Sequence, residues 1–207
     1  MTMRGLYAVT PEGLPFERLA AFVSAALAGG VRLVQYRSKE SSIELRRSQA
    51  AALLALCRAS GARLIINDDL ALALELDADG VHLGRDDGDL AAARRALGSN
   101  RILGASCYGD LAAAEAAAAA GADYLALGSV FASSTKPQAP VIPLELLGEA
   151  KRRFGLPIAA IGGITLDNAV RTIAAGADLL AVIADLFAAG DIAAVSARAG
   201  NYQKLFA

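Results

Sequence analysis

Eight short runs of aliphatic and β-branched residues divide the chain, each followed by a longer stretch dominated by Ala and Leu, and this alternation limits the fold more than any other feature. The runs cover residues 6–10, 31–37, 63–68, 80–84, 101–107, 124–130, 157–163 and 179–183. Their centres lie about 15 to 33 residues apart, which leaves room for a helix between each pair and predicts βα units on a parallel sheet. The runs are almost continuously apolar, as expected for strands covered on both faces. Gly30, Gly61, Gly98, Gly121, Gly155 and Gly176 each fall between a helical stretch and the next run, where a left-handed C-terminal cap favours a residue without Cβ. AAGADY at 119–124 and AAGADL at 174–179 repeat one such junction 55 residues apart, a sign of internal similarity between βα units.

Eight βα units in 207 residues predict an α/β fold, a single closed (β/α)8 TIM barrel over residues 1–207, with a doubly wound open sheet as the alternative. With 48 Ala and 20 Gly the side chains are small, and two independent cores would be hard to build. A hydrophobic content of 55% and mean hydropathy of +0.43 exclude disorder. The apolar runs are interrupted by Glu, Asp or Gly before the roughly 18 residues a membrane span needs, so no membrane association is expected. The first residues enter a strand-like LYAVT with no basic and apolar leader, so a cytoplasmic location is expected. Two cysteines make no disulfide framework. Lys plus Arg (20) nearly balance Asp plus Glu (21), with no basic stripe, which argues against a nucleic-acid partner. An anionic small molecule must then be held locally; the oligomeric state is left open, a homo-oligomer included.

A barrel carries its chemistry on the loops after the C-terminal ends of its strands. Those ends collect Gln35, Arg37 and Lys39, then Asn67 and Asp68, then Asp86 and Asp87. Ser106, Cys107 and Tyr108 follow at the fifth strand, Ser133, Ser134, Thr135 and Lys136 after the sixth, Gly162 and Gly163 after the seventh. The opposite ends show no such concentration. Gln35, Arg37 and Lys39 alternate along an extended stretch, so their side chains can converge on one anion, Arg as a planar fork and Lys as a point charge; a solvated strand end is the plainer alternative. Asp68 and Asp87 close neighbouring strands and could face each other as oxygen ligands of Mg2+. Each also precedes a helical stretch, 70–76 and 89–97, where a carboxylate serves equally well as a cap.

SSTK at 133–136 puts hydroxyls and a cation on a loop long enough to act as a lid, or simply on an ordinary Ser/Pro loop. IGGI at 161–164, followed by a helix from about residue 167, and AVIAD at 181–185 sit where barrels build phosphate sites from backbone N–H groups. His82, the one histidine, is expected to be a satisfied interior residue, since no acid or nucleophile pairs with it by spacing. Cys57 is expected in the core, and Cys107, with no histidine near it in sequence, is expected to pack.

Taken in order, LYAVT (6–10), QYRSK (35–39), LIINDD (64–69), DADGVHLGRDD (77–87), GADYLALGSVFASSTK (121–136), AAIGGIT (159–165) and AGADLLAVIAD (175–185) resemble the thiamine phosphate synthase family over essentially the whole chain. The resemblance implies a small (β/α)8 barrel that joins an aminopyrimidine methyl diphosphate to a thiazole phosphate and releases diphosphate, with Mg2+ as cofactor. It implies that the segment Gln35, Tyr36, Arg37, Ser38 and Lys39, with Asn67 and Lys136, holds the pyrimidine diphosphate, that Asp68 and Asp87 hold Mg2+, and that Ser106 holds the pyrimidine ring. Ser133, Ser134, Thr135, Gly163, Ile183 and Ala184 would bind the thiazole phosphate, the last three through backbone groups. Arg37, Lys39 and Lys136 would act catalytically by stabilising the departing diphosphate, with Ser106 beside the reacting ring. The chain departs from the common pattern at Tyr108, where histidine is usual, and at Arg85, where glutamine is usual. A thiazole tautomerase-like isomerase and a non-catalytic thiamine-precursor binding protein are the competing readings; Asp68, Asp87 and Lys136 together disfavour both.

Overall fold

The structure is a computed structural model that describes residues 3–39, 41–133, 138–188 and 190–207. The parallel strands β1 (Gly5–Val9), β2 (Leu33–Tyr36), β3 (Arg63–Asn67), β4 (Gly80–Leu83), β5 (Ile102–Tyr108), β6 (Tyr124–Gly128), β7 (Ile158–Ile161) and β8 (Leu179–Val182) pair in sequence order. β1 pairs with β8, Gly5 opposite Leu179, which closes the barrel and overturns the open-sheet alternative. Around it lie α1 (Phe16–Ala28), α2 (Ile43–Ala59), α3 (Leu70–Glu75), α4 (Leu90–Leu97), α5 (Leu111–Ala119), α6 (Glu145–Phe154), α7 (Leu166–Ala174), α8 (Ala184–Phe187) and α9 (Ile192–Lys204). The expected strand at 157–163 stops two residues early because Gly162 and Gly163, at φ +103° and +62°, turn the chain out of the sheet.

Strand alternation sorts the apolar residues into two cores. Tyr7, Val9, Leu33, Ile65, Ile102, Tyr124, Ala126, Ala159, Leu179 and Ala181 fill the barrel interior. Their neighbours, among them Leu6, Val34, Ile66, Val81, Leu103, Leu125 and Leu180, face outward and pack with the helices. Each large aliphatic side chain withdrawn from water in this way contributes roughly 1.5–3 kcal/mol. All six glycines expected at helix ends have positive φ.

The Ala-Asp pairs that precede β4, β6 and β8, two of them in the repeated GAD junction, have a physical role at the N-terminal rim. Asp79, Asp123 and Asp178 immediately precede β4, β6 and β8, and each carboxylate accepts the first or second backbone N–H of the strand before: Leu64 at 2.8 Å, Leu103 at 2.7 Å and Ile158 at 3.0 Å. Arg94 pairs with Asp123, and Lys151 with Asp178 at 2.6 Å. This rim is built for cohesion, which leaves the other rim for chemistry.

Candidate active site

A cavity of about 610 Å3 opens at the C-terminal ends of the strands. Gln35, Arg37, Lys39, Asn67, Asp68, Asp87, Ser106, Ser133, Gly163, Ile183 and Ala184 all line it. Ser134, Thr135 and Lys136 lie outside the described residues. The period-two geometry that turns Gln35, Arg37 and Lys39 inward turns the residues between them away. Tyr36 is buried in the outer core with its hydroxyl donating to Gln49 Oε1 at 2.7 Å, and the Ser38 hydroxyl donates to Ser41 Oγ at 2.8 Å. Neither side chain lines the cavity, so any contact these two make there falls to the backbone.

Two residues in the loop after β1 position the cations. The Arg37 backbone N–H donates to Thr10 Oγ1 at 2.8 Å, and the same hydroxyl donates to the Arg37 carbonyl at 3.2 Å. Glu12 Oε1 accepts from Arg37 Nη1 at 2.8 Å and from the Lys39 backbone N–H at 3.0 Å. Lys39 Nζ reaches Asp68 Oδ2 at 2.9 Å. The side of the cavity formed by β2 to β4 therefore carries two cations whose counter-charges are carboxylates, replaceable by an anionic ligand.

The capping of α3 and α4 falls to neighbouring residues. Asp69 caps α3, its carboxylate accepting from Leu72 N at 2.9 Å, and Asp89 caps α4, accepting from Ala92 N at 2.6 Å. Asp68 and Asp87 are thereby left to the cavity. Asp68 sits at φ +64°, with its N–H donating to the His82 carbonyl at 2.8 Å. Asp87 Oδ2 accepts from Gly84 N at 2.9 Å, and a Cβ at Gly84 would come within 2.5 Å of that oxygen. The two carboxyls lie within hydrogen-bond reach of each other. Burial works to raise Asp68, but Lys39 and the hydrogen bond with Asp87 outweigh it and hold that carboxyl below its ordinary range. Asp87 moves the other way, raised by burial and then by Asp68. Two adjacent carboxyls, one pushed down and the other pushed up, form a donor set suited to a small divalent cation, with substrate phosphates supplying further oxygens.

Below the mouth runs a buried polar chain that no spacing in the sequence signals. Gln35 Nε2 donates to the Tyr7 hydroxyl at 2.8 Å, and the Tyr7 and Tyr124 hydroxyls lie 2.7 Å apart. The Tyr124 hydroxyl meets His82 Nδ1 at 2.9 Å, and His82 Nε2 meets Ser106 Oγ at 2.8 Å. The Tyr7 ring stands edge-on to Tyr124, and the His82 ring stacks on it at 5.6 Å. Burial pushes both tyrosine hydroxyls well above their ordinary value, so they stay neutral. His82 is thus a satisfied interior residue, and the group it supports is Ser106, at the cavity.

Across the barrel, on the β7 and β8 side, the wall is formed mainly by glycine, alanine and aliphatic residues, among them Gly162, Gly163, Ile183 and Ala184. Asn168 shapes it, donating from Nδ2 to the Gly163 carbonyl at 2.9 Å while its Oδ1 accepts from Thr165 N at 2.9 Å. A Cβ at Gly163 would press on Phe131 Cβ at 2.8 Å, so close packing keeps this position small. Asp185 lines the cavity but is bound by Arg198 and by the Tyr202 hydroxyl, each at 2.7 Å, which ties α8 to α9. Tyr108, at φ +55° where β5 bulges against β6, borders the mouth with Arg85 over its ring at 5.3 Å. Burial pushes the Cys57 and Cys107 thiols up to about 12, so both are packing groups and neither is a thiolate nucleophile.

Residues 6–186 match the family model described as thiamine monophosphate synthase. Relatives named thiamine-phosphate synthase include one from Aromatoleum aromaticum, 55% identical over 99% of this chain and 97% of its own, and one from Chromobacterium violaceum, 56% identical over 94% of this chain and 93% of its own. Among solved structures, a thiamine phosphate pyrophosphorylase from Pyrococcus furiosus superposes with TM-score 0.86 at 34% identity, over 99% of this chain and 96% of that one. 3-Hexulose-6-phosphate synthase, at TM-score 0.70 and 19% identity, shares the fold alone. The chain belongs to the thiamine monophosphate synthase family and is, with the relatives so named, a transferase.

Proposed function

We propose that the chain is a cytoplasmic thiamine-phosphate synthase that joins 4-amino-2-methyl-5-(diphosphooxymethyl)pyrimidine to a thiazole phosphate, giving thiamine phosphate and diphosphate. The observation that supports it best is the division of one cavity into two anion-binding sides. Arg37, Lys39 and the Asp68–Asp87 pair stand on the β2 to β4 side, and the backbone of Gly163, Ile183 and Ala184 stands opposite. One side suits a diphosphate with a metal ion, the other a phosphate held by N–H groups.

Asp68 and Asp87 would hold Mg2+, which when bound supplies positive charge against the leaving diphosphate. Arg37 and Lys39, oriented by Glu12 and Thr10, bind the diphosphate oxygens and favour the charge that collects there as the methylene carbon–oxygen bond breaks, the electron pair leaving with diphosphate. Removing one such preorganised donor typically costs about 10²–10³ in rate. Ser106 and Gln35 orient the pyrimidine ring, whose amino group feeds electron density to the methylene carbon. The thiazole nitrogen, presented from the opposite side, then forms the new carbon–nitrogen bond with its own lone pair. No side chain need form a covalent bond. Lys136 would add a third cation at the diphosphate. Purified chain supplied with both substrates should form thiamine phosphate with Mg2+ and lose that activity in EDTA; no product at any Mg2+ level overturns the reading.

A further inference from the structure

We propose that Gln35, Tyr7, Tyr124 and His82 form a one-way hydrogen-bond relay that makes Ser106 a donor to the cavity and thereby selects a 4-aminopyrimidine over its 4-oxo counterpart. The identity of the ring rests on the function proposed above; the direction of the relay does not.

The direction follows from counting hydrogens. The Gln35 amide nitrogen has no lone pair to offer, so the Tyr7 oxygen accepts from it at 2.8 Å. Tyr7 is fully buried, and the Tyr124 oxygen 2.7 Å away is the remaining partner among the described residues for its single hydrogen. Tyr124, having accepted, gives its own hydrogen to His82 Nδ1 at 2.9 Å. A neutral imidazole whose Nδ1 accepts carries its proton on Nε2, which donates to Ser106 Oγ at 2.8 Å. The Ser106 hydrogen is therefore turned away from His82, and Ser106 lines the cavity. At the other end, one N–H of the Gln35 amide is taken by Tyr7, which leaves its carbonyl oxygen and its second N–H for a ligand.

The packing is arranged around this chain. Tyr7 and Tyr124 are fully buried, and β5 carries a glycine, Gly104, directly opposite Tyr124, where a Cβ would lie 2.5 Å from the ring's Cε1 and closer still to its hydroxyl. A strand position has been left without a side chain to seat that hydroxyl between its two partners.

An aminopyrimidine complements a donor serine and an acceptor carbonyl, because its ring nitrogens accept and its amino group donates. The 4-oxo ring reverses both, with a protonated ring nitrogen beside a carbonyl oxygen. The mismatched buried polar pair at Ser106 predicts a preference for the amino ring on the order of 10-fold or more.

His82 is the only histidine in the chain, so protein grown with 15N-labelled histidine reports one imidazole without interference. In the protein without substrate, at about pH 8, NMR should show the proton on Nε2; a proton on Nδ1 overturns the relay. Tyr124→Phe keeps the ring against Gly104 but loses the hydroxyl. It should leave a mixture of tautomers and narrow the amino-over-oxo preference in competition binding of the two pyrimidine diphosphates by about 10-fold; an unchanged preference overturns the selectivity. If that variant does not fold, the wild-type tautomer and wild-type preference still decide the question. Nε2–H without thiamine phosphate formation would sink the functional reading and leave the relay standing, whereas Nδ1–H in an active synthase would sink the relay alone.

Discussion

Gly104→Ala is the most severe single-methyl change the barrel interior predicts. Gly104 does not have the positive φ that favours glycine, so the backbone accepts alanine without strain and the cost is steric. The new Cβ would sit 2.5 Å from Tyr124 Cε1, where real Cβ contacts essentially never fall under 3.0 Å. The ring has no retreat, because it is fully buried between the edge of Tyr7 and the face of His82. Overpacking of this kind costs roughly 1–3 kcal/mol. Displacing the Tyr124 hydroxyl from its two partners adds about 1 kcal/mol for each bond. The sum, about 3–5 kcal/mol, corresponds to a fall in Tm of about 6–20 °C for a domain of this size. Urea unfolding and calorimetry would measure it, with Gly61→Ala as control. Gly61 has φ +63° and nothing within 4 Å of a Cβ, so it should show only the strain of a left-handed alanine, about 1 kcal/mol. If Gly104→Ala were no more destabilising than Gly61→Ala, the account of the barrel interior would be wrong.

Two neighbouring aspartates should separate cleanly. Asp69→Ala should lose about 1 kcal/mol of stability as its helix cap goes while keeping Mg2+ binding, and Asp68→Asn should do the reverse, seen by urea unfolding and by titration calorimetry; joint loss of both properties in either variant would contradict the assignment. Burial and Asp68 raise the Asp87 carboxyl, so the pair takes up a proton more readily than a free aspartate would, and that proton competes with Mg2+. Mg2+ affinity should therefore fall as the pH drops from neutrality through that raised value, with proton release on binding, while the metal-free protein gains stability over the same window because the folded state binds the proton more tightly than the unfolded chain. Calorimetry in buffers of different ionisation heat would detect the released proton, and an affinity that does not fall on acidification would refute it. Glu12→Gln should weaken binding of the pyrimidine diphosphate roughly 10-fold by releasing Arg37 and the Lys39 backbone from their common anchor, an effect read in KM more than in stability.

The fold was legible because its signal is repetitive: apolar runs at regular spacing and a glycine at six helix ends leave few arrangements that bury the strands on both faces. The inward turn of Gln35, Arg37 and Lys39 followed from strand parity, and the same parity, applied to QYRSK as a whole, takes the Tyr36 and Ser38 side chains out of the cavity. The ambiguity at Asp68 and Asp87 came from each having an aspartate one or two residues downstream; only the geometry shows that Asp69 and Asp89 are the caps. Glu12 and Thr10 left no trace, since one carboxylate and one hydroxyl in a loop look like ordinary solvation. Tyr7 and Tyr124 carried a weak trace, as large polar-tipped residues at inward strand positions must find partners for their hydroxyls, but which partners depends on contacts 28 to 117 residues apart.

The central claim is that one cavity holds two phosphorylated substrates and couples loss of diphosphate to carbon–nitrogen bond formation. The direct measurement is to follow diphosphate and thiamine phosphate together in one reaction of the purified chain with Mg2+, with both substrates present and with each omitted in turn. The account predicts equimolar release of the two products when both substrates are present and neither product when one is missing. Diphosphate released from the pyrimidine substrate alone at the same rate, or no thiamine phosphate with both present, would contradict it.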